Sequence, residues 1–277
     1  MRVGAAQIDI SIGAKTVNLN KCLHFLKIAA QQNIEQLVFP ECALTGYVFN
    51  NFDEAFQISE TVPGRSTKLL EEACHKYKIT IVVGLLEQDK GKLYNTAVLI
   101  NPEGLVGKYR KTHTLCLGVD RYISRGTSLP VFALSQGKVG ILICYDQRFP
   151  EPARVMALNG AQVILNPADL PEGAEAYANF FNRARACENR LFIISANRVG
   201  EERNVRFIGC SQIINYSGEV LAEGSKAGEE LITAEIKPDQ ADAKHVVNTP
   251  GEYEFDIFGD RRPELYQPII HRNNCLK

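Results

Sequence analysis

Short apolar runs alternate along the chain with longer amphipathic stretches, and this alternation predicts an α/β fold. The apolar runs are rich in valine, isoleucine and leucine and have the length of buried strands. They cover residues 3–10, 36–39, 79–86, 96–100, 139–143, 161–165, 191–196, 211–215 and 231–236. Amphipathic stretches of helical length lie between several of them, at residues 17–31, 66–77, 150–159 and 175–189. Helices placed in this way are expected to cover the faces of the sheets.

The first amphipathic stretch shows the helical period most clearly. Leu19, Leu23, Leu26 and Ala30 recur at alternating spacings of four and three residues, which predicts one apolar stripe along the helix. Later in the chain, the turn Tyr216-Ser217-Gly218 separates two strand candidates and indicates a hairpin. Hairpins among strands that helices also connect favour mixed sheets over purely parallel ones.

The chain shows neither a linker rich in proline, serine and glycine nor an internal repeat, so we predict a single domain over residues 1–277. Residues 245–277, which contain Thr249-Pro250-Gly251, are expected to form an irregular carboxyl-terminal arm. Such an arm either frays or lies on another subunit.

Composition and charge narrow the function classes. The chain is 45% hydrophobic and 23% charged with a formal net charge of -1, which is typical of a globular protein and unlike a nucleic-acid-binding one. The amino-terminal sequence lacks the pattern of a secretory signal, and no segment has the apolar length of a membrane span. We therefore expect a cytoplasmic protein with neither nucleic acid nor membrane as a partner.

The eight cysteines are scattered without a CxxC pair, so reduced thiols are expected. The five histidines are dispersed as well, and no histidine or cysteine pair has the spacing of a zinc site. We expect neither a metal nor a cofactor.

Three chemically complementary side chains follow predicted strands. Glu41 follows the strand at 36–39, Lys111 follows the segment 105–109, and Cys144 follows the strand at 139–143. Ligand sites in α/β sheets form beyond the carboxyl ends of strands, so the three groups would share one pocket if these strand ends are neighbours.

The local sequence around Cys144 favours a presented thiol. An apolar strand leads into a turn, and Phe149-Pro150-Glu151 opens the next helix with a proline and an acid. A helix amino terminus and a nearby lysine would both stabilise the thiolate. The alternative is an inert buried thiol, the usual state of a free cysteine. Taken alone, Glu41 is better explained as an exposed loop acid and Lys111 as part of a solvated basic edge. The combination of three complementary groups at three strand ends favours a site.

The combination of motifs resembles the nitrilase superfamily of carbon-nitrogen hydrolases. The resemblance is carried by FPECALTGY around Glu41, KYRKTH around Lys111 and CYDQRFPE from Cys144, together with LNPA, RARACEN and SANRVG further on. It implies a four-layer α-β-β-α sandwich with two mixed β-sheets.

The resemblance also implies a Glu-Lys-Cys triad. Glu41 would act as general base, Cys144 would attack the amide carbon and form a thioester, and Lys111 would help the backbone N–H of Tyr145 to stabilise the oxyanion. The residues expected to bind the substrate are Tyr47, Asp120, Tyr145, Asn166 and Ala168.

One segment departs from the family pattern. Many members of the family carry a second glutamate shortly after the lysine motif, whereas the only acid in residues 113–126 is Asp120, and its register is off by about one residue. Asp120 either replaces that glutamate or forms an ion pair with a neighbouring arginine.

The CYDxRFPE form is most similar to the small-amide branch, which implies a primary carboxamide hydrolysed to a carboxylate and ammonia. The family also contains hydrolases of N-carbamoyl amines and amino acids, and nitrilases. Asp169, Glu172 and Glu175 lie in a stretch with neither arginine nor lysine, which favours a neutral or amine-bearing amide over a dicarboxylic monoamide.

Two rival hypotheses stay open: a thiol hydrolase dyad of Cys144 and His113, and a non-catalytic binding protein on the same fold. The family resemblance further implies a homodimer or a larger homo-oligomer, in which 259–266 would contact the partner.

Overall fold

The structure, a computed structural model, describes residues 1–271 of the 277-residue chain. Cys275 and the end of the predicted arm therefore lie outside the described residues. The contacts within the chain divide it into two compact units, Met1–Asp242 and Ala243–Lys277. Whether the two units form one domain, as the sequence suggests, stays a prediction.

The first unit contains fourteen strands and five α-helices among the described residues. The strands are β1 (Arg2–Gln7), β2 (Gln36–Val38), β3 (Thr80–Asp89), β4 (Lys92–Asn101), β5 (Gly104–Arg110), β6 (Val131–Leu134), β7 (Gly137–Ile141), β8 (Val163–Ala168), β9 (Phe192–Asn197), β10 (Glu201–Glu202), β11 (Val205–Arg206), β12 (Gln212–Ile214), β13 (Val220–Glu223) and β14 (Glu230–Glu235). The helices are α1 (Lys15–Gln31), α2 (Phe52–Ile58), α3 (Arg65–Tyr77), α4 (Pro150–Leu158) and α5 (Asn182–Asn189).

Two six-stranded mixed sheets form the centre of this unit. Their strand orders are β14-β1-β2-β3-β4-β5 and β13-β12-β9-β8-β7-β6. In each sheet three neighbouring strands are parallel, β1 to β3 in the first and β7 to β9 in the second, while the outer strands are antiparallel. The sheets face each other through β1 against β9 and β3 against β8.

The helices cover the outer faces of this pair of sheets. Helices α1 and α3 pack together, and α3 lies on β4 and β5, whereas α4 and α5 pack together and α5 lies on β9 and β12. The predicted α-β-β-α sandwich with two mixed sheets is confirmed, and so is the predicted hairpin, which joins β12 to β13 with Gly218 at a φ of 85°.

The buried stripe of α1 differs from the predicted one. Leu19 and Leu26 are buried as expected, but Leu23 and Ala30 are only partly buried. Asn18 is buried as well, because its side-chain amide exchanges two hydrogen bonds with the backbone of Ser11, at 2.9 and 2.8 Å. The stripe is therefore rotated slightly from the leucine pattern, and a polar residue forms part of it.

The second unit was expected to be irregular, but it contains a hairpin of β15 (His245–Thr249) and β16 (Tyr253–Asp256) and a short helix α6 (Gln267–Ile270). The Asp256 carboxylate accepts hydrogen bonds from the backbone N–H groups of Phe258 and Gly259 at 2.9 and 2.8 Å, which closes the turn after β16. Within residues 1–271, no helix has both the length and the apolar character that crossing a bilayer requires.

Candidate active site

Cys144 lies where the second sheet meets a tight turn. Strand β7 ends at Ile141, a 3₁₀ turn runs over Cys144–Arg148, and α4 begins with Pro150 at its first position. Cys144 has a φ of 44°, in the left-handed region that a residue with a side chain seldom adopts. The residue is 7% exposed, so the chain presents the thiol into a nearly closed space.

Glu41 and Lys111 form a fully buried ion pair. Both side chains are 0% exposed, and the Lys111 ammonium lies 2.7 Å from Oε1 of Glu41. The side-chain amide of Asn95, on β4, donates to the same oxygen at 2.6 Å. Lys111 follows β5, and its backbone N–H donates to the Asn95 carbonyl at 2.9 Å, so the strand pairing of β4 with β5 holds both donors in place.

Asp120 is the second acid on Lys111. Its Oδ2 lies 2.7 Å from the Lys111 ammonium, and both side chains are fully buried. The sequence left open an ion pair of Asp120 with a neighbouring arginine. The guanidinium of the adjacent Arg121 instead donates to the carbonyls of Gly118 and Phe49. Asp120 therefore lies beside the amine, and its replacement of the second family glutamate stays a prediction.

The Cys144 thiol is electrostatically coupled to this pair. Burial raises its pKa well above the ordinary value, the charge of Glu41 raises it further, and Lys111 lowers it in part. Lys111 thus stabilises the thiolate as expected, but burial outweighs this effect. The neutral thiol is favoured, and it needs a base to become a nucleophile.

Glu41 is the candidate for that base. Burial raises its pKa, and only part of this increase is offset by the charge of Lys111 and the hydrogen bonds that Glu41 accepts. For Lys111, burial disfavours the ammonium, but the charges of Asp120 and Glu41 outweigh it and raise the pKa. A carboxylate with a raised pKa next to a thiol can accept its proton, while the ammonium stays charged.

The backbone N–H of Asp169 connects the base to the nucleophile. It donates to Oε2 of Glu41 at 3.2 Å, and its hydrogen bond to Cys144 lowers the thiol pKa. The Asp169 carboxyl is 1% exposed, and neither of its buried oxygens has a hydrogen-bond partner among the described residues. Burial raises its pKa well above the usual value.

The other predicted substrate-binding residues lie at different places. Tyr47 is buried with its ring 5.6 Å from the Lys111 ammonium, and Tyr145 follows Cys144 directly, with its ring edge-on to Phe149 at 5.3 Å. Asn166 uses its amide within the sheet, since it donates to the Leu142 carbonyl and accepts from Ser195. Ala168 is the buried last residue of β8. Substrate contact by each of these residues stays a prediction.

Sequence reasoning missed Asn95, Asp146 and the buried position of Asp169. Asn95 and Thr96 interrupt an otherwise apolar strand, which is a visible signal for a polar group turned inwards. The rival base His113 has its Nδ1 2.8 Å from Asp146, and its ring stacks on Phe149 at 4.2 Å. These contacts give His113 a structural environment, whereas Glu41 is the acid coupled to the thiol.

The comparisons with known proteins show the family of this chain. The family model for carbon-nitrogen hydrolases matches residues 2–245. A protein named nitrilase from Pyrococcus abyssi is 38% identical over 267 residues, which cover 96% of this chain and 99% of the relative. The omega-amidase NIT2 of Homo sapiens is 31% identical over 280 residues, 96% of each chain.

Solved structures give the same picture of the fold. Saccharomyces cerevisiae Nit3, a member of branch 10 of the nitrilase superfamily, matches with a TM-score of 0.79 at 26% identity, over 87% of this chain and 92% of Nit3. An amidase from Nesterenkonia sp. matches with a TM-score of 0.80 at 22% identity, over 98% of this chain and 96% of that protein. At that identity the second match shows the shared fold.

Proposed function

Because this chain belongs to the carbon-nitrogen hydrolase family, we propose that it is an amidase that converts a small aliphatic carboxamide to a carboxylate and ammonia. The chain is a hydrolase of carbon-nitrogen bonds other than peptide bonds. The observation that carries the narrower proposal is the buried Glu41-Lys111 pair beside a thiol whose pKa burial has raised. That arrangement supplies a base, a fixed cation and a nucleophile in one closed space.

The proposed reaction proceeds through a thioester. Glu41 takes the proton of the Cys144 thiol as the sulfur attacks the amide carbon, and the carbonyl oxygen becomes an oxyanion. The Lys111 ammonium and the backbone N–H of Tyr145 stabilise that charge, an effect worth about 3 kcal/mol for a single well-placed donor. Glu41 then protonates the leaving nitrogen, and ammonia departs. A water molecule, deprotonated by Glu41, attacks the thioester and expels the Cys144 thiolate, which regains the proton from Glu41 as the carboxylic acid is released.

No step of this reaction requires a metal ion or an organic cofactor. Asp120 is proposed to keep the Lys111 amine protonated, since its charge raises the lysine pKa. This leaves Glu41 free to exchange a proton with the sulfur, the nitrogen and the water in turn. The predicted substrate contacts of Tyr47, Asn166 and Ala168 belong to the same proposal.

We propose that the preferred substrate is a neutral or amine-bearing amide and not a dicarboxylic monoamide. Among the arginines near the site, Arg183 donates to the Gly218 carbonyl at 3.0 Å, and Arg148 stacks on the Phe181 ring at 4.9 Å. The acids of the neighbouring loop are also partly compensated, because Glu172 lies 3.7 Å from Arg206 and the raised pKa of Asp169 favours its neutral form. This compensation favours a neutral amide within the proposed class.

Two substrates of similar length test this preference. We expect a higher kcat/KM for 5-aminopentanamide than for glutaramate, which carries a carboxylate where the first has an amine. A clear preference for glutaramate would contradict the proposed substrate class and would leave the amidase chemistry intact.

Nitrile hydrolysis is the second candidate, since the relative from Pyrococcus abyssi bears the name nitrilase. Ammonia release from a panel of aliphatic amides, N-carbamoyl amines and nitriles separates the classes, with Cys144→Ala as the blank. The amidase proposal expects the amides to be the best substrates. Turnover confined to nitriles or to carbamoyl amines would replace it.

We further propose that the protein forms a homodimer or a larger homo-oligomer, as the family resemblance implies. Its proposed location is the cytoplasm, which rests on the composition and the amino-terminal sequence. A molar mass in solution close to twice or a higher multiple of 30.8 kDa is the expected result.

A further inference from the structure

A carboxylate beside the proposed triad has no part in the chemistry and yet receives five hydrogen bonds. Asp146 is 0% exposed. Its Oδ1 accepts from the Thr112 hydroxyl at 2.9 Å and from His113 twice, through the backbone N–H at 2.9 Å and Nδ1 at 2.8 Å. Its Oδ2 accepts from the Tyr109 hydroxyl at 2.8 Å and the Ile143 backbone N–H at 3.0 Å. The two carboxylate oxygens thus meet five neighbouring groups, of which His113 Nδ1 donates in the tautomer that carries its proton there.

These donors come from both segments that carry the reactive groups. Tyr109 precedes Lys111 by two residues, and Thr112 and His113 follow it, so the carboxylate holds the chain on both sides of the lysine. Ile143 directly precedes Cys144. One side chain thus ties the end of the lysine strand in the first sheet to the cysteine turn in the second.

The cysteine turn needs such a constraint. Cys144 has a φ of 44°, and a residue other than glycine in this region persists only where its surroundings fix it. Asp146 closes the turn locally, since its backbone N–H donates to the Ile143 carbonyl at 3.0 Å while its carboxylate accepts from the Ile143 N–H. The ring of His113 adds a second connection, because it stacks on Phe149 at the end of the same turn.

We propose that Asp146 is a positioning residue that sets the placement of the Lys111 ammonium relative to the Cys144 sulfur through this set of five hydrogen bonds. The inference rests on the proposed function for its catalytic meaning. It requires a carboxylate, since an amide in the same place offers one donor group and one acceptor. In either orientation that amide would direct its N–H atoms at a backbone N–H of Ile143 or of His113.

The test compares Asp146→Asn with Glu87→Gln as a matched control. Glu87 is also a buried acid, and it accepts from Thr96 at 2.8 Å and from Arg110 at 2.8 and 2.6 Å. Two further features make Glu87 a suitable control. Its partners Lys108 and Arg110 are partly exposed, whereas Tyr109 and Lys111 on the same segment are buried. Lys108 and Arg110 therefore lie on the face of the strand opposite to Tyr109 and Lys111. Both substitutions are expected to lower the unfolding midpoint.

Only Asp146→Asn should affect catalysis. We expect kcat to fall about 10²-fold with KM changed by less than about threefold, because small misplacements of reacting groups reduce rates by that order. Glu87→Gln should keep kcat within about twofold of the wild type. Wild-type kcat in folded Asp146→Asn, or an equal loss of kcat in both variants, would overturn the proposal.

If Asp146→Asn does not fold, variants that each remove one donor to Asp146 still test the proposal. Tyr109→Phe and Thr112→Val each remove one hydrogen bond to Asp146 and leave the carboxylate in place. Both also remove the contact between the two hydroxyls, and Thr112→Val removes the contact of Thr112 with His113 Nδ1. Each should lower kcat severalfold at nearly constant KM, and unchanged kcat in both would contradict the inference.

The rate of Cys144 alkylation by iodoacetamide, followed by peptide mass, needs no amide turnover. It therefore tests the placement of the thiol even if the proposed activity fails. We expect slower alkylation in Asp146→Asn and in the single-donor variants than in Glu87→Gln. Equal alkylation rates in all of them would overturn the positioning role, while a lack of amide hydrolysis by the wild type would overturn only the proposed function.

Discussion

Burial sets the resting protonation state of the reactive residues. The pKa of Cys144 is raised by burial and by the charge of Glu41, and Lys111 compensates only in part. A thiol in this state reacts slowly with oxidants and alkylating agents, since the thiolate is the reactive form. In the proposed mechanism Glu41 removes its proton, so that the proposed nucleophile and base function as a pair.

Asp169 shows the energetic consequence of a buried acid without partners. Burial raises its pKa well above the ordinary value, and the charge of Arg198 reverses only part of this effect. The folded state thus binds the proton more tightly than the unfolded chain. The stability contribution of this group is fully present below the unfolded pKa of about 3.9 and is lost as the pH rises through the folded pKa.

Asp169→Asn removes this dependence on pH. The free energy of unfolding of the variant, relative to the wild type, should increase as the pH rises above about 4, and guanidinium titrations at a series of pH values measure it. Glu175→Gln is the control of opposite sign, since Glu175 accepts backbone hydrogen bonds that lower its pKa. A difference between Asp169→Asn and wild type that is constant over the whole pH range would contradict the buried-acid explanation.

At the residue scale the sequence predicted the candidate reactive groups and missed what surrounds them. Glu41, Lys111 and Cys144 could be identified because each follows a predicted strand or extended segment and lies in a family motif. The dominant effect of burial on the Cys144 pKa could not be predicted, because the neighbours that desolvate a thiol come from distant parts of the chain. The contact of Asp120 with Lys111 depends on the path of a loop, which residue spacing alone did not define.

At the scale of elements, a buried ion pair fixes the loop that follows Glu41. Arg198 is 0% and Glu202 2% exposed, and Arg198 donates to Oε1 of Glu202. Oε2 of Glu202 accepts from the backbone N–H groups of Tyr47 and Val48 at 2.9 and 2.8 Å. The Tyr47 carbonyl in turn accepts from the N–H of Val119, the residue before Asp120. The pair therefore supports the acid that holds Lys111.

Glu202→Gln should be strongly destabilising. Removal of the Glu202 charge leaves the buried Arg198 guanidinium with the half-exposed Asp9 carboxylate, 3.2 Å away, as its remaining ion-pair partner among the described residues. Because this second partner is largely solvated, we still expect a loss of about 3–5 kcal/mol in the free energy of unfolding. Glu229→Gln is the matched control: Glu229 pairs with Lys21 at 2.6 Å, but both side chains are partly exposed, so about 1 kcal/mol or less is expected. Denaturant titration measures both, and equal losses would contradict the proposed importance of the buried pair.

The sequence predicted the long elements and missed the short ones. All nine apolar runs contain strands, and Pro150 starts α4 as its position suggested. The predicted helix at 175–189 is helical throughout, but it contains a π-helical turn, Tyr177–Phe181, that continues into α5 and that the pattern did not show. Helix α2 has seven residues, too few to be stable alone, and it depends on the Asn51 cap and on packing of Ala55. Such elements are stabilised by tertiary contacts that a local pattern does not contain.

At the scale of the whole molecule, the site exists because two sheets face each other. Glu41 and Lys111 follow β2 and β5 of the first sheet, and Cys144 follows β7 of the second. The strands place Glu41 and Lys111 on one side and Cys144 on the other, and all three side chains are buried. The four-layer fold could be predicted from the motifs, but the hairpin in the second unit could not, since its turn residues were interpreted as irregular.

The most direct test of the account is the intact mass of the protein during turnover of a slowly hydrolysed aliphatic amide. We predict a transient mass increase equal to the acyl group, located on the peptide that contains Cys144, together with ammonia release. Glu41→Gln should form this adduct far more slowly, and Cys144→Ala should form none and release no ammonia. Ammonia release at the wild-type rate from Cys144→Ala would contradict the account.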